Sequence, residues 1–560
     1  MPDKPKAMLV GIDAADPTYI DRRIAEGALP NIRYVRETGV WGPMRSTFPV
    51  LSSAAWSTIV TGQPPEKHGI FEFFQRVEGT WTDRIVHGPM KQVPDVWDIA
   101  ARHGLRSVSV NVPITFPPKA VPGNVVVSGM DTPGESSEFV APPSEKEPLL
   151  KAVPNYRIEL TAAQFSTVEA FLAAVEETME ARLRAALYLF ERHTPDLAIV
   201  IFTALDRVLH ALWKYLDPAH PAYHYPEAAS KRQLVDRLYD RVDEHLGTLL
   251  DWAGEKTTTV VCSDHGGAAV HGIFFLNRWL AREGYLAVHD KGSEMLGVLT
   301  GLQHFAKRVV PRPVKNLVNR LFPELYADVG STRGLQRIDP VRTLAYAWRK
   351  ASVIRINLQG REPGGIIEPG GSYDALLNEI AAKLEGVIDP RNGRKPIRKV
   401  WRRKEAYPLS EPLDDCPDLV IEWDDRLYQV DTTLDGLADD PLFADEEKPN
   451  KPWREEINGD HAFYGVFGAV GPGIAAGVSL EKADILGVTP TLLTALGLPL
   501  PSDMTGRPPE GIFSGDTAVE SAEGSEQVDV TGSGETQADD IYTPEERAIL
   551  EKRMRDLGYM

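Results

Sequence analysis

Leu51-Ser52-Ser53-Ala54-Ala55-Trp56-Ser57-Thr58-Ile59-Val60-Thr61-Gly62, continued by Gln63-Pro64-Pro65-Glu66-Lys67-His68-Gly69, follows an extended-looking run, Ser46 to Val50, and gives way to helical character. The hydroxyls of Ser52 and Ser53 therefore fall at a strand-to-helix turn, from which a nucleophile projects well. Serine is equally a favoured helix N-cap. The rest of the chain has to decide between the two roles.

Strand and helix patterns alternate on either side of this stretch. Ala7 to Ile12 reads as a short buried strand, and Pro17 to Thr38 as a helical region broken at Leu-Pro-Asn. Strand patterns recur at Val108 to Val112, Val125 to Val127, Leu197 to Thr203 and Thr258 to Ser263, with helical ones at Thr167 to Arg192 and Asp236 to Leu250. This order predicts an α/β fold: a doubly wound, mostly parallel central sheet with helices on both faces. Reactive groups then belong at the carboxyl ends of the strands.

After Leu286 the pattern changes. Met295 to Leu321 is apolar yet carries Lys307, Arg308, Arg312, Lys315 and Arg320. It reads as a cap helix pair or, more sharply, as a lid meeting an anionic substrate or a membrane surface. Strands are expected at Ser352 to Leu358 and Asp418 to Glu422, with a helix at Tyr373 to Leu384 and a basic loop from Arg391 to Arg403. Gly468 to Ile474 and Ala483 to Leu498 read as a return to the core. Residues 514 to 540 hold eight acidic side chains and no basic ones, the composition of a disordered linker. Beyond it, Thr543-Pro544-Glu545-Glu546 is a capping box opening an amphipathic helix with Ile549, Leu550, Met554 and Leu557 on one face.

The 560 residues carry a net charge of −19, which argues against general nucleic-acid binding but leaves room for a local anion site. With two cysteines, Cys262 and Cys416, there is neither a disulfide framework nor a thiolate zinc site. The amino end lacks the long apolar run of a signal peptide, and no window of about 18 uninterrupted apolar residues reads as a membrane span. The expectation is a cytoplasmic protein of undetermined oligomeric state.

Five places set an acid, an imidazole or a hydroxyl where a strand ends or a helix begins. Besides the serine pair, these are Asp13, Asp206 with His210, Asp264-His265-Gly266-Gly267, and Asp460-His461. The spacing from Asp206 to His210 puts both on one helix face. Each alone has an ordinary structural reading as a cap, surface pair or turn. Together, carboxylates, imidazoles and a hydroxyl suit zinc or manganese, and two ions about 4 Å apart serve in-line displacement.

These motifs, in order, resemble those of the alkaline phosphatase superfamily, in its type I phosphodiesterase and nucleotide pyrophosphatase branch. The matching stretches are Gly-Ile-Asp13, Ser52 through Val-Thr-Gly62 with Glu-Lys-His68-Gly69-Ile70, Asp206 to His210, Ser-Asp264-His265-Gly266 and Asp460-His461. Weaker similarity runs from Ala7 to Arg507. The resemblance implies two divalent metal ions, zinc first and manganese second, one held by Asp206, His210 and His461, the other by Asp13, Asp264 and His265 beside the nucleophile. The nucleophile position falls on Ser52, also a metal ligand, with Ser53 and Thr47 as fallbacks. It implies an alkaline phosphatase-like catalytic core at 5–286 and 455–512, interrupted by a cap region with some core strands at 287–454; composition and the capping box add a linker at 513–541 and a terminal helix at 542–560.

One departure affects the substrate. Where nucleotide pyrophosphatases carry an asparagine supporting a phosphoryl oxygen, this chain reads Phe71-Glu72-Phe73. The sulfatase pattern is absent too, since Ser52-Ser53-Ala54-Ala55-Trp56 has neither its proline nor its arginine. The implied activity is hydrolysis of a small phosphodiester or nucleotide pyrophosphate through a phosphoserine, the substrate being a nucleotide or a lipid head group. A phosphomonoesterase or a phosphoryl or phosphoethanolamine transferase fits the same scaffold. The reading from another class is a metal-stabilised binding or assembly protein.

Overall fold

Ala7–Ile12 is wholly buried and hydrogen-bonded in parallel on both edges, to Leu197–Phe202 on one side and Thr258–Cys262 on the other. Such continuous burial is what an unbroken apolar strand requires. The structure, a computed structural model, describes residues 4–289, 335, 337–349, 351–411, 414–424, 427–434, 437, 440–445, 453, 458–515, 519–520 and 541–559. The basic segment 295–321 and most of the acidic stretch, 521–540, lie outside the described residues.

Across the main sheet the strands run Val478–Ser479, Val40–Arg45, Tyr464–Val470, Thr258–Cys262, Ala7–Ile12, Leu197–Phe202, Ser107–Val112, Asn124–Ser128 and Val140–Ala141. The five central strands from Thr258–Cys262 to Asn124–Ser128 are parallel, whereas Tyr464–Val470 is antiparallel to both its neighbours. Successive side chains of a strand point to opposite faces. Accordingly Met8, Val10 and Ile12 join the hydrophobic core on one face, and Ala7 and Leu9 the core on the other. The first core packs helices Val168–His193 and Ala228–Ala253; the second packs Ser52–Thr61, Val96–Arg102 and Val488–Ala495. The α/β sandwich with a mostly parallel centre follows.

Two local expectations change. The run Ser46 to Val50 is not a strand: Val40–Arg45 is, and the chain after it breaks away from the sheet edge before the helix starts at Ser52. The basic loop contains a strand, Ile397–Arg402, paired antiparallel with Leu419–Trp423. Ile397 and Val400 are buried while Arg398 is exposed, and a register shift between Ile397 and Lys399 breaks the strict alternation expected of a strand. The return to the core begins earlier than Gly468, with strand Tyr464–Val470, and Ile474 beyond it joins the second core. The segment after the core's first half also forms a small four-stranded antiparallel sheet, ordered Ala345–Ala347, Val353–Ile356, Leu419–Trp423, Ile397–Arg402, with helix Gly371–Glu385 packed on it. No helix among the described residues is long and apolar enough to cross a membrane.

Candidate active site

Three neighbouring parallel strands deliver the three carboxylates at their carboxyl ends. Asp13 directly follows Ala7–Ile12, Asp206 opens the helix after Leu197–Phe202, and Asp264 stands two residues beyond Cys262. Ala14 then adopts a left-handed backbone, φ 61°, unusual for a residue with a Cβ. That turn sends its amide to Asp264 Oδ1 at 3.3 Å and the Ala15 amide to Ser263 Oγ at 2.8 Å.

Each carboxylate is held by one oxygen only. Trp56 Nε1 donates to Asp13 Oδ2 at 3.2 Å, the Ala14 amide holds Asp264 Oδ1, and Arg207 donates to Asp206 Oδ2. The other three oxygens, Asp13 Oδ1, Asp206 Oδ1 and Asp264 Oδ2, are buried without a hydrogen-bond partner. Leaving such atoms unpaired costs about 1–3 kcal/mol each, more when charged. A proton or a cation would satisfy them.

The imidazoles are oriented by the same logic. His210 Nδ1–H donates to Gly459 O at 3.0 Å, His461 Nδ1–H to Val50 O at 2.9 Å and His265 Nδ1–H to Gly266 O at 2.9 Å. A carbonyl can only accept, so each ring in its neutral form keeps Nε2 as its lone-pair atom, the orientation typical of metal-ligating histidines. The Nε2 atoms of His210 and His461 stand 3.3 Å apart, and those of His210 and His265 lie 3.3 Å from Asp206 Oδ1 and 3.2 Å from Asp264 Oδ2. Two groups result, Asp206 with His210 and His461, and Asp13 with Asp264 and His265, each with ligand atoms within 4.8 Å of one another. His265 and His461 stack at 3.8 Å between ring centres, so the groups share a wall. Oxygen and imidazole donors of this kind fit a divalent ion.

Two glycines make these approaches possible. A Cβ on Gly11 would lie 2.5 Å from the Trp56 ring that reaches Asp13, and one on Gly459 would lie 2.6 Å from Leu209 O, beside the contact that orients His210.

Ser52 is the first residue of its helix, and its Oγ lies 3.2 Å from His265 Nε2. The N-cap is Leu51, which makes no side-chain capping bond, so capping does not account for Ser52. Ser53 Oγ is buried without a partner, and Thr47 Oγ1 donates to Pro49 O at 2.9 Å. His68 is consumed structurally: it donates from Nε2 to Thr58 Oγ1 at 2.9 Å and accepts from the Ile70 amide at 3.1 Å.

A family model for type I phosphodiesterases/nucleotide pyrophosphatases matches residues 7–463. The chain belongs to that family. It is accordingly an enzyme of phosphoester hydrolysis, of the phosphodiesterase/pyrophosphatase type. Solved structures similar to this family member include human ectonucleotide pyrophosphatase/phosphodiesterase 5, with 13% identity and a TM-score of 0.47, over 89% of this chain and 95% of that one. The murine protein, solved with AMP, has 13% identity and a TM-score of 0.46, over 88% and 96%. Phosphonoacetate hydrolase from Sinorhizobium meliloti, solved with phosphonoformate, has 16% identity and a TM-score of 0.47, over 88% and 96%. No curated protein matches the chain.

The electrostatics of this family member's two groups differ. Burial, reinforced by the Asp264 charge, raises Asp13 well above the carboxylate range, and burial takes Asp264 up to about 7 despite His461. At Asp206 burial acts the same way, but His210 and Arg207 overcome it and hold the carboxyl well below its usual value. Burial alone would lower His461; its hydrogen bond to Asp206 and the nearby Asp460 carboxylate push it up to about 9.

Sequence reasoning missed the residues that support the ligands. Glu159 accepts from Arg207 at 2.8 Å and so fixes the guanidinium against Asp206. Its only signal is a buried acid far from any motif. Tyr559 was missed as well. Its hydroxyl lies 3.4 Å from Asp206 Oδ2.

Proposed function

We propose that this chain is a two-metal phosphoesterase acting on a small-molecule phosphate ester through a covalent phosphoserine at Ser52. The observation that carries the reading is the set of three buried, unpartnered carboxylate oxygens facing lone-pair imidazole nitrogens beside one serine hydroxyl. Asp206, His210 and His461 would hold one ion, and Asp13, Asp264 and His265 the other, with Ser52 as a further ligand of the second. Bound there, divalent ions, zinc by preference for such N and O donors, supply Lewis acidity that favours an alkoxide and neutralises charge on phosphoryl oxygens.

Ser52 then attacks phosphorus in line as the bond to the leaving oxygen breaks on the far side, and water cleaves the phosphoserine in a second displacement. The first turn of helix Ser52–Thr61 contributes as well, since free N–H groups at a helix start favour developing negative charge. Trp56, Arg207 and the Gly459 carbonyl keep the ligands in place without touching the substrate.

The test is metal analysis coupled to a panel of nitrophenyl mono- and diesters, with and without an alcohol acceptor. Ser52→Ala is expected to keep both ions and lose at least about 1,000-fold in kcat. Full hydrolysis by that variant with its metals bound rejects the assignment. The panel separates diesterase, monoesterase and transferase.

A further inference from the structure

The helix Pro544–Asp556 docks on the catalytic core itself. Thr543 and Glu546 close a capping box at its start, and Leu550, Met554 and Leu557 are buried beneath it. Tyr542 stacks on Phe116 and donates to Asp131 O at 3.0 Å, while Arg553 donates to the carbonyls of Met130, Thr132 and Pro133. At the other end Gly558, φ 92°, takes the left-handed position that ends a helix in a Schellman motif. Its amide bonds Arg555 O at 3.1 Å and the Tyr559 amide bonds Met554 O at 2.9 Å, the paired contacts of that motif. The backbone of Tyr559 is thus fixed by its own helix.

That fixed residue stands in the candidate active site. Its ring packs at 4.5 Å on Phe73, with His461 at 5.8 Å and His210 at 5.9 Å, and is 6% exposed. Its hydroxyl donates to Asp206 Oδ2 at 3.4 Å, a long bond that a phosphoryl oxygen entering the site can replace. Phe73 is the position where an amide donor to a phosphoryl oxygen was expected, and it offers only a ring for Tyr559 to rest on. A phenol is a neutral O–H donor near pH 7. Resting on the proposed phosphoesterase reading, we propose that Tyr559 is a substrate-contacting residue whose hydroxyl donates to a phosphoryl oxygen, replacing from the terminal helix the donor that Phe73 lacks.

The experiment compares the full, metal-loaded chain with its Tyr559→Phe variant, which keeps the ring on Phe73. Turnover of nitrophenyl esters is expected to fall about 100-fold, the loss typical of one oxyanion donor, with melting temperature and metal content unchanged. In parallel, calorimetric binding of inorganic phosphate is expected to weaken about tenfold when Tyr559→Phe is added to the Ser52→Ala chain. Met554→Glu, which buries a charge under the helix and undocks it, is expected to lower turnover in the same way. A rise in turnover in either variant would make the helix a plug and overturn the proposal.

The two readings fail separately. If the unaltered protein turns over no ester while phosphate binding still depends on Tyr559, the hydrolase reading fails and the contact stands. If turnover proceeds and neither it nor phosphate affinity responds to Tyr559→Phe, the contact fails and the hydrolase reading stands.

Discussion

The two candidate ligand groups are built from similar donors but balanced differently. Asp206, His210 and His461 bring two imidazoles to one carboxylate, and Arg207, itself tied to Glu159, adds a permanent cation behind it. Asp13, Asp264 and His265 set two carboxylates against one imidazole, and no guanidinium contacts either carboxylate among the described residues. The first group is nearly neutral before any ion arrives. The second is a buried site of like charges that only protons or a metal can relieve. One site is therefore prepared, and the other is strained in waiting.

The strongest test of that contrast is to neutralise one carboxylate in each group. Asp264→Asn and Asp206→Asn are both expected to abolish turnover, by at least about 1,000-fold, if each holds an ion in catalysis. Their metal-free stabilities are expected to move in opposite directions. Asp264→Asn relieves repulsion and raises the melting temperature, whereas Asp206→Asn removes the charge that faces both Arg207 and His461 and lowers it. Equal shifts would dissolve the distinction.

Arg207→Met probes the prepared site from behind. It takes the guanidinium away from Asp206 Oδ2 and leaves Glu159 only the longer 3.9 Å contact to Arg182, and breaking such a buried pair costs about 3–5 kcal/mol. Chemical denaturation of the metal-free protein measures it. A loss under about 1 kcal/mol would mean that the guanidinium is not the source of the difference.

Acidity separates the groups next. Asp264 has its folded pKa raised to about 7, so the stability it contributes is complete below its unfolded value of about 4 and disappears as pH rises through 7. His461, raised to about 9, contributes fully below about 6.5 and loses that contribution as pH rises through 9. Because His265 and His68, both held below the usual imidazole value by burial, act in the opposite sense over part of this range, the losses in metal-free protein are read as differences: wild type against Asp264→Asn between pH 4 and 7, and wild type against His461→Gln between 6.5 and 9. Divalent ion at a fixed concentration, about 100 times its Kd at the alkaline end, should add about 2.7 kcal/mol there and less at lower pH, where protons compete for the same groups, so the profile flattens. Differences in melting temperature, wild type minus variant, that rise with pH across these windows would contradict the assignment.

The smallest expected effect is that of Trp56→Phe. It removes the donor to Asp13 Oδ2 while keeping a ring over Gly11, and it should cost about 1 kcal/mol.

The serine stretch and the four acid and imidazole motifs could be read from the chain because strand ends are local events. An apolar run stops, a reactive residue follows, and the parallel sheet brings successive ends together. What could not be read is whatever depends on partners across space. Arg207 and Glu159 belong to different segments with no motif between them. Ser46 to Val50 has the composition of a strand but no neighbouring strand, and Ile397–Arg402 conceals its pairing behind a register shift. The apolar face of Pro544–Asp556 was visible, yet nothing in its spacing says that the surface it covers is the core, or that Tyr559 follows it into the site.

Ala7–Ile12, bonded along both edges and covered on both faces, has no side from which it can open alone. The amides of Leu9 and Val10 are therefore expected to exchange their hydrogens with solvent only when the whole domain unfolds. Since Asp13 extends this strand and Asp206 and Asp264 follow its two neighbours, the three carboxylates are expected to be kept or lost as a unit.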